Sequence, residues 1–264
     1  MKKRFKVGIF DSGIGGLTVL KECVRFAPQA RYFYYGDNAR APYGSRSEDE
    51  IRSFTREALR LFQRKRTDAV VIACNTATAV AVDEMRREFR FPIIGVEPAV
   101  KPAAEHCKNV LVLATERTAE SARMKMLSNR FPDCSFRIFP CINLAGAIEK
   151  YFVSGERFLL SAHLPSGSYD GVVLGCTHYA FFGEQISSFY SAPVYDGSGG
   201  VAKRLVSVLE SIGLGRSDHL LPTSNPNICF SFSAKKRVKF IGKCRKINQK
   251  VFFQTFVLEK TEKK

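Results

Sequence analysis

VGIFDSGIGG, at residues 7–16, joins a short apolar run to a turn of small polar residues and glycines. An apolar run of this length that ends in such a turn is typical of a buried strand. The arrangement recurs as AVVIACNTA at 69–77, VLVLATERT at 110–118 and GVVLGCTHY at 171–179. Ligands of open parallel sheets bind beyond the carboxyl ends of the strands, so the sequence predicts that these four turns line a binding site.

The spacing of the four turns indicates two similar halves. Asp11 and Cys74 end strands that lie 63 positions apart, whereas Thr115 and Cys176 end strands that lie 61 positions apart. Alternating strands and helices imply parallel sheets with helices on both faces. We therefore expect an α/β fold with two similar doubly wound parallel-sheet domains that face a shared cleft. The predicted strands of these domains are 7–10, 32–35, 69–73, 93–96, 110–114, 135–139, 171–174 and 193–195.

End signals mark two of the predicted helices. Ser47 and Glu50 form a capping box, and the apolar residues that follow repeat at helical spacing. The stretch 199–212 has the same periodicity, and Gly213 is its expected stop. The face of this helix that we expect to be buried carries Val201, Leu205, Val208 and Ile212.

The carboxyl-terminal part of the chain differs in composition from both halves. It has short runs rich in Phe and Val and interleaved with Lys, which predict a small antiparallel β-rich extension. The predicted strands are 228–232, 237–241 and 251–258, and 223–227 is the expected linker into them. We expect a first domain formed by residues 1–97 and 211–264, and a second domain formed by 98–210.

Composition excludes several classes of protein. With 264 residues, 45% hydrophobic and 25% charged, the chain matches ordinary globular proteins. No segment approaches the ~20 apolar residues of a membrane-spanning helix, so we expect a cytoplasmic protein without a membrane partner. The net charge is +16, and residues 234–264 alone hold eleven Lys or Arg against two Glu. Such a basic tail can bind nucleic acid, but a solvated edge is the more ordinary explanation.

The cysteines suggest acid–base chemistry rather than metal binding. None of the eight forms a CxxC pair or a zinc-like spacing with histidine, so we expect no metal. Cys74 and Cys176 occupy equivalent places in the two halves and would face each other across the cleft. Inverting a stereocentre without a cofactor requires two bases, one on each side of the carbon. At strand-to-helix turns the pKa of both thiols is expected to fall towards neutrality. The alternative is two buried structural thiols.

The motifs that carry this pattern resemble those of the glutamate racemase family, in the same order and over about residues 5–200. They are GIFDSGIGGL at 8–17, YGD at 35–37, PYG at 42–44, ACNTA at 73–77, GVEPA at 95–99 and GCTHY at 175–179. The resemblance implies a cofactor-independent enzyme that interconverts L- and D-glutamate and supplies D-glutamate for peptidoglycan, and hence for cell-wall biogenesis and cell shape. It also implies a homodimer.

The resemblance assigns roles to individual residues. Cys74 matches the thiol that takes the proton from D-glutamate, and Cys176 matches the thiol that takes it from L-glutamate. Asp11 matches the acidic residue that assists the first thiol, and His178 matches the imidazole beside the second. Asp37 and Glu149 are weaker candidates for assisting groups. Besides Asp11 and His178, the residues expected to bind the substrate are Ser12, Tyr43, Gly44, Asn75, Thr76, Thr118 and Thr177.

Two departures from the family pattern bear on these expectations. Ala180, Phe181 and Phe182 stand where the family usually has proline and leucines, which puts the packing of that turn in question. The chain also begins about five residues before its first strand. Family members that a cell-wall precursor activates tend to carry an amino-terminal extension, so we expect no such activation here.

Other functions remain open from the sequence alone. A racemase of aspartate or another amino acid differs from a glutamate racemase by contacts worth only about 1–3 kcal/mol per methylene. A related decarboxylase keeps one of the thiols, whereas this chain has both. A nucleic-acid-binding protein is suggested only by the basic tail, and a redox protein by the thiols. The glycines at 13, 15 and 16 lack the lysine and spacing of a nucleotide-binding loop, and instead predict a tight turn beside a small ligand.

Overall fold

A computed structural model describes residues 5–213, 227–234 and 237–244 of the chain, and ten strands lie within these ranges. They are β1 (Lys6–Asp11), β2 (Arg31–Gly36), β3 (Ala69–Ile72), β4 (Ile93–Gly95), β5 (Asn109–Ala114), β6 (Ser135–Pro140), β7 (Gly171–Gly175), β8 (Val194–Asp196), β9 (Asn227–Ala234) and β10 (Arg237–Cys244). The eight strands predicted before residue 200 are all present. The strand predicted at 251–258 and residues 223–226 of the predicted linker lie outside the described residues.

The strands form two sheets, as the sequence predicts. One sheet has the order β10-β9-β2-β1-β3-β4, and the other has the order β6-β5-β7-β8. Strands β1 to β4 pair in parallel, and so do β5 to β8. The carboxyl ends of β1, β3, β5 and β7 carry the four polar turns, so the α/β fold with two parallel-sheet halves is confirmed.

The carboxyl-terminal extension joins the first sheet. Strands β9 and β10 are antiparallel to each other, as predicted. Strand β9, however, pairs in parallel with β2, with Tyr32 opposite Ile228 and Gly36 opposite Phe232. The extension therefore adds two strands to the edge of the first sheet.

Nine α-helices connect and cover the strands within the described part of the chain. They are α1 (Leu17–Phe26), α2 (Glu48–Arg64), α3 (Asn75–Glu88), α4 (Val100–Ala104), α5 (Glu116–Glu120), α6 (Ala122–Ser128), α7 (Leu144–Ser154), α8 (Gly183–Tyr190) and α9 (Ser198–Ser211). Short 3-10 helices occupy Tyr43–Ser45, Leu160–His163 and Tyr179–Phe182.

The predicted helix ends are present. Ser47 Oγ accepts a hydrogen bond from the Glu50 amide, and the Glu50 carboxylate accepts one from the Ser47 amide. Helix α9 ends just before Gly213, which has a φ of +110° that favours glycine. Ile212 lies beyond the last helical residue and is 39% exposed, so its predicted burial on the apolar face of α9 is wrong.

Apolar residues are buried on both faces of each sheet. On the first sheet, Val7 and Ile9 of β1 face α1 and α9, whereas Phe10 faces α2 and α3. This alternation follows from the two-residue period of a strand. Because Val201 and Leu205 of α9 belong to the core of the first sheet, α9 packs on that sheet. The domain boundaries at 97/98 and 210/211 stay a prediction.

Asp37 fixes the segment that follows β2. Its fully buried carboxylate accepts hydrogen bonds from Tyr43 Oη and Arg40 Nε, each at 2.6 Å, and from Ser233 Oγ of β9, also at 2.6 Å. The carboxylate therefore ties β2, the Tyr43 turn and β9 together.

Asp37→Asn is expected to lower the free energy of unfolding by about 2 kcal/mol, because the amide lacks the charge that pairs with Arg40. The measurement is urea unfolding followed by circular dichroism. Asp49→Asn makes the same chemical change at a side chain that is 98% exposed, and we expect it to leave stability nearly unchanged. Equal midpoints for both variants would contradict the structural role of Asp37.

Candidate active site

Cys74 lies where β3 passes into α3. It is the residue just before the helix, and its sulfur accepts a hydrogen bond from the Ala77 amide at 3.4 Å, while the thiol donates to Ser12 Oγ at 3.4 Å. Burial and, to a lesser extent, the nearby Asp11 raise the pKa of this thiol to about 11, although the hydrogen bonds with Ser12 and Ala77 lower it. The expected fall of the Cys74 pKa is therefore wrong, because burial outweighs the helix end.

Cys176 directly follows β7, in the second sheet. Its sulfur lies 3.8 Å from Nδ1 of His178. The chain turns at His178, which has helical dihedral angles (φ −63°, ψ −35°), and this turn brings the imidazole back to the sulfur. The predicted neighbours Cys176 and His178 are thus in contact.

Glu149, on α7, holds the other nitrogen of the His178 ring. Its Oε2 lies 2.6 Å from His178 Nε2 and also accepts the Ile14 amide at 3.1 Å, while its Oε1 accepts the side-chain amide of Asn38. Burial by itself lowers the pKa of His178. The hydrogen bonds to Cys176 and Glu149 outweigh it and raise that pKa well above the ordinary value. The contacts with Cys176 and Glu149 therefore favour the protonated form of His178.

Asp11 joins the two halves. Its carboxylate, at the end of β1, accepts the Gly13 amide at 2.7 Å and the Thr177 hydroxyl at 3.1 Å. Burial raises the pKa of Asp11, and the nearby charge of His178 opposes that rise. The acidic residue predicted to assist the first thiol is thus also bonded to the residue that follows the second.

Three threonine hydroxyls meet between the halves. Thr76 Oγ1 lies 2.9 Å from Thr115 Oγ1 and 3.4 Å from Thr118 Oγ1, and Thr115 donates to Thr118 at 3.0 Å. Thr76 and Thr118 were predicted as substrate-binding residues, whereas sequence reasoning missed Thr115. The available signal was its position directly after β5, which corresponds to that of Cys176 after β7.

Most of the predicted site residues line a single cavity of about 10 Å³. Such a cavity holds about one water molecule, so its walls must separate before a molecule as large as glutamate can fit between them. Its walls include both thiols and most of the predicted binding residues. The lining residues are Ser12, Pro42, Tyr43, Gly44, Cys74, Asn75, Thr76, Thr115, Ala145, Cys176, Thr177 and His178.

Asp37 is not one of the residues that line this cavity, but it contacts the lining residue Tyr43. The Tyr43 hydroxyl donates to Asp37, and its ring packs against Phe10 and Phe54. Next to Tyr43, a Cβ on Gly44 would lie 3.0 Å from Thr115 Cβ, so this turn closes against the threonines.

The glycine-rich turn contacts the second half of the molecule. A Cβ on Gly15 would lie 2.5 Å from Thr177 Oγ1 and 2.6 Å from His178 Nδ1, and a Cβ on Gly13 would clash with the Glu149 carboxylate. The turn was predicted to let the backbone approach a small ligand. The structure shows a close approach between the turn and the residues that surround Cys176, whereas its approach to a ligand stays a prediction.

The unusual residues after Tyr179 extend an aromatic cluster. Phe181 packs on Phe152 of α7 with ring centroids 4.8 Å apart, and Phe182 contacts Phe158 at 5.3 Å. These contacts brace the helix that carries Glu149 against the turn that carries His178.

The described part of the chain comprises residues 5–213 and the strands β9 and β10. In these ranges no helix has the length and apolarity to cross a bilayer. The same residues hold no group of three or more His, Cys, Asp or Glu placed to bind a metal. The expected absence of a cofactor stays a prediction.

Comparison with known proteins gives consistent results. A family model described as Asp/Glu/Hydantoin racemase matches residues 12–136. A glutamate racemase of Clostridium acetobutylicum is 37% identical over 218 residues, which cover 79% of this chain and 85% of that protein.

Solved structures of glutamate racemases have a fold similar to that of this chain. The Escherichia coli glutamate racemase in complex with L-glutamate and the activator UDP-MurNAc-Ala has a TM-score of 0.72 and 32% identity, covering 79% of this chain and 83% of that one. The Francisella tularensis glutamate racemase in complex with D-glutamate has a TM-score of 0.71 and 27% identity, covering 96% and 94% of the two chains.

Proposed function

The chain belongs to the glutamate racemase family, and we propose that it interconverts L- and D-glutamate without a cofactor by two-base proton transfer between Cα and the thiols of Cys74 and Cys176. One observation carries this mechanism. The two thiols come from different sheets and line the same small cavity. A planar carbanion formed between them could receive a proton from either side.

In each direction one thiolate takes a proton from Cα and the other thiol returns one to it. From L-glutamate, the Cys176 thiolate takes the Cα proton, and the Cys74 thiol gives its proton to the opposite face, leaving a thiolate at Cys74 and a thiol at Cys176. From D-glutamate the same steps run in reverse. The pKa of about 11 keeps Cys74 protonated at neutral pH, which suits the acid role in the first direction. The charge of His178 stands beside Cys176 as the counter-charge for its thiolate.

Polar groups of the cavity suit the two charged ends of an amino acid. The hydroxyls of Thr76, Thr115 and Thr118 can donate to a carboxylate once they separate from one another. Asn75 Oδ1 is buried and has no hydrogen-bond partner among the described residues. Because an unpaired buried acceptor is costly, it is a natural partner for the substrate ammonium group, together with the Asp11 carboxylate.

We assign glutamate as the substrate because relatives over most of the chain are glutamate racemases, including the two whose solved structures contain L- or D-glutamate. The same relationship supports a cytoplasmic homodimer that supplies D-glutamate for peptidoglycan.

A polarimetric or circular-dichroism assay tests the activity. L-Glutamate, D-glutamate and both enantiomers of aspartate are incubated with the enzyme without pyridoxal phosphate or added metal. We expect both glutamates to converge on the racemate and to take up deuterium at Cα in D₂O. Turnover of aspartate but not glutamate would reassign the substrate, and a requirement for pyridoxal phosphate would contradict the mechanism.

Glu149→Gln is expected to lower kcat for L-glutamate by roughly 10²-fold, because His178 loses the charge that holds it protonated beside Cys176. In the wild type the raised pKa of His178 favours the imidazolium, so we expect loss of its proton to contribute the alkaline limb of the kcat profile. In the variant this pKa drops, and the alkaline limb of the kcat profile should move to lower pH. An unchanged profile would show that Glu149 does not set the charge of His178.

A further inference from the structure

Asn38 contacts Glu149, the partner of His178, and does not itself line the cavity. Its side-chain amide donates to Glu149 Oε1, whereas Glu149 Oε2 faces His178 Nε2 at 2.6 Å. The two carboxylate oxygens thus have different partners, and Asn38 fixes the rotation of the carboxylate that holds His178. Asn38 Oδ1 is buried and has no hydrogen-bond partner among the described residues, so the donated bond is the polar contact this side chain provides.

Asn38 is itself held by the carboxyl-terminal extension. The hydroxyl of Ser233, on β9, donates to Asp37 Oδ1 at 2.6 Å and accepts the Ala39 amide at 2.9 Å. One hydroxyl therefore clamps the residues on both sides of Asn38. Because β9 pairs in parallel with β2, the clamp lies at the carboxyl end of the first sheet, where the polar turns lie.

We propose that Ser233 and Asn38 are positioning residues for the racemase reaction, in which β9 clamps the 37–39 turn and the Asn38 amide orients Glu149 so that His178 stays aligned with Cys176. This inference rests on the proposed two-thiol function. The carboxyl-terminal extension then contributes to the reaction geometry, because Ser233 of β9 helps to align His178 with Cys176.

Three titratable groups surround His178 and affect the pKa of its imidazole. Glu149 faces its Nε2, Cys176 faces its Nδ1, and Asp11 lies close enough to interact with its charge. Asn38 and Ser233 carry no charge and touch neither ring nitrogen. A change in the titration of His178 on substituting either residue therefore reports the orientation of Glu149 and not a lost charge.

The test combines kinetics with a double-mutant cycle. Asn38→Ala is expected to lower kcat by roughly tenfold with a smaller change in KM, and Ser233→Ala by about threefold, since each removes one step of the alignment. Ser233→Thr keeps the hydroxyl and should restore wild-type kcat. If Ser233 acts through Asn38, the double variant should be no slower than Asn38→Ala alone. Multiplicative losses, or no loss in Asn38→Ala, would overturn the proposal.

An NMR titration of the imidazole supplies a readout that does not need activity. The chain has four histidines, and His178→Gln identifies the signal of His178. In Asn38→Ala and Ser233→Ala we expect His178 to lose its proton at lower pH than in the wild type. A wild type that fails to racemise glutamate contradicts the proposed function, whereas an unchanged His178 titration contradicts the positioning role.

Two matched variants control for general effects of the substitutions. Ser207→Ala removes a hydroxyl from the exposed face of α9, and Asn129→Ala removes an amide just after α6. Neither should change kcat or the His178 titration. Losses as large as those of the test variants would contradict the proposal.

Discussion

Cys74→Ala and Cys176→Ala are each expected to lower kcat/KM for glutamate racemisation by roughly 10³-fold, because each removes one of the two groups that exchange a proton with Cα. Enantiomers have equal free energies, so kcat/KM must fall by the same factor in both directions. Both thiols are buried, and each substitution removes a single sulfur atom with its hydrogen-bond contacts to neighbouring side chains. We therefore expect folded variants with near-wild-type circular dichroism.

Isotope exchange separates the roles of the two thiols. Cys74→Ala keeps the base that takes the proton of L-glutamate, so slow deuterium exchange should persist with L-glutamate and vanish with D-glutamate. Cys176→Ala should show the reverse. Cys23→Ala is the matched control, because Cys23 is a fully buried thiol in the core of the first sheet, away from the cavity. Full activity in either test variant would remove that cysteine from the mechanism.

Gly15→Ala is expected to lower kcat by roughly 10²-fold, although it adds a single methyl group. That carbon would lie 2.5 Å from Thr177 Oγ1, 2.6 Å from His178 Nδ1 and 2.8 Å from the His178 backbone nitrogen. Since backbone cannot move aside as a flexible side chain can, the turn and the Cys176 segment must separate. A displacement of about 1 Å at a catalytic site can cost about 10² in rate.

The control for this prediction is Gly199→Ala. Gly199 lies in α9, and a Cβ there has no atom within 4 Å, so activity should be unchanged. Neither glycine has a positive φ, which means that backbone strain does not distinguish the two variants. Steady-state kinetics and a thermal unfolding curve of both variants provide the measurement. Wild-type kcat in Gly15→Ala would show that the contact with His178 does not set the reaction geometry.

The strand ends were predictable because their signals are local. Apolar runs that stop at small polar residues identified β1, β3, β5 and β7, and the capping box of Ser47 and Glu50 identified the start of α2. The end of α9 did not follow from its apolar spacing. Its apolar spacing continues to Ile212, but the helix ends one residue earlier and leaves that side chain 39% exposed.

The electrostatics of the site could not be predicted in the same way. A helix end lowers the pKa of a thiol, and sequence shows that helix end beside Cys74. Burial and the neighbouring Asp11 raise the pKa to about 11, and neither is visible from local sequence. Likewise, Glu149 was only a weak candidate, because its contact with His178 joins residues 29 positions apart.

The sequence alone determined the two parallel-sheet halves, the two thiols at equivalent strand ends and the family to which they point, because each depends on residues adjacent in the chain. The tertiary structure alone decided that β9 pairs with β2, that Thr115 completes the ring of hydroxyls and that the glycine turn presses on His178. Those contacts join segments far apart along the chain. Apolar periodicity says that a strand or helix forms, but which segment lies beside it depends on how all of them pack together.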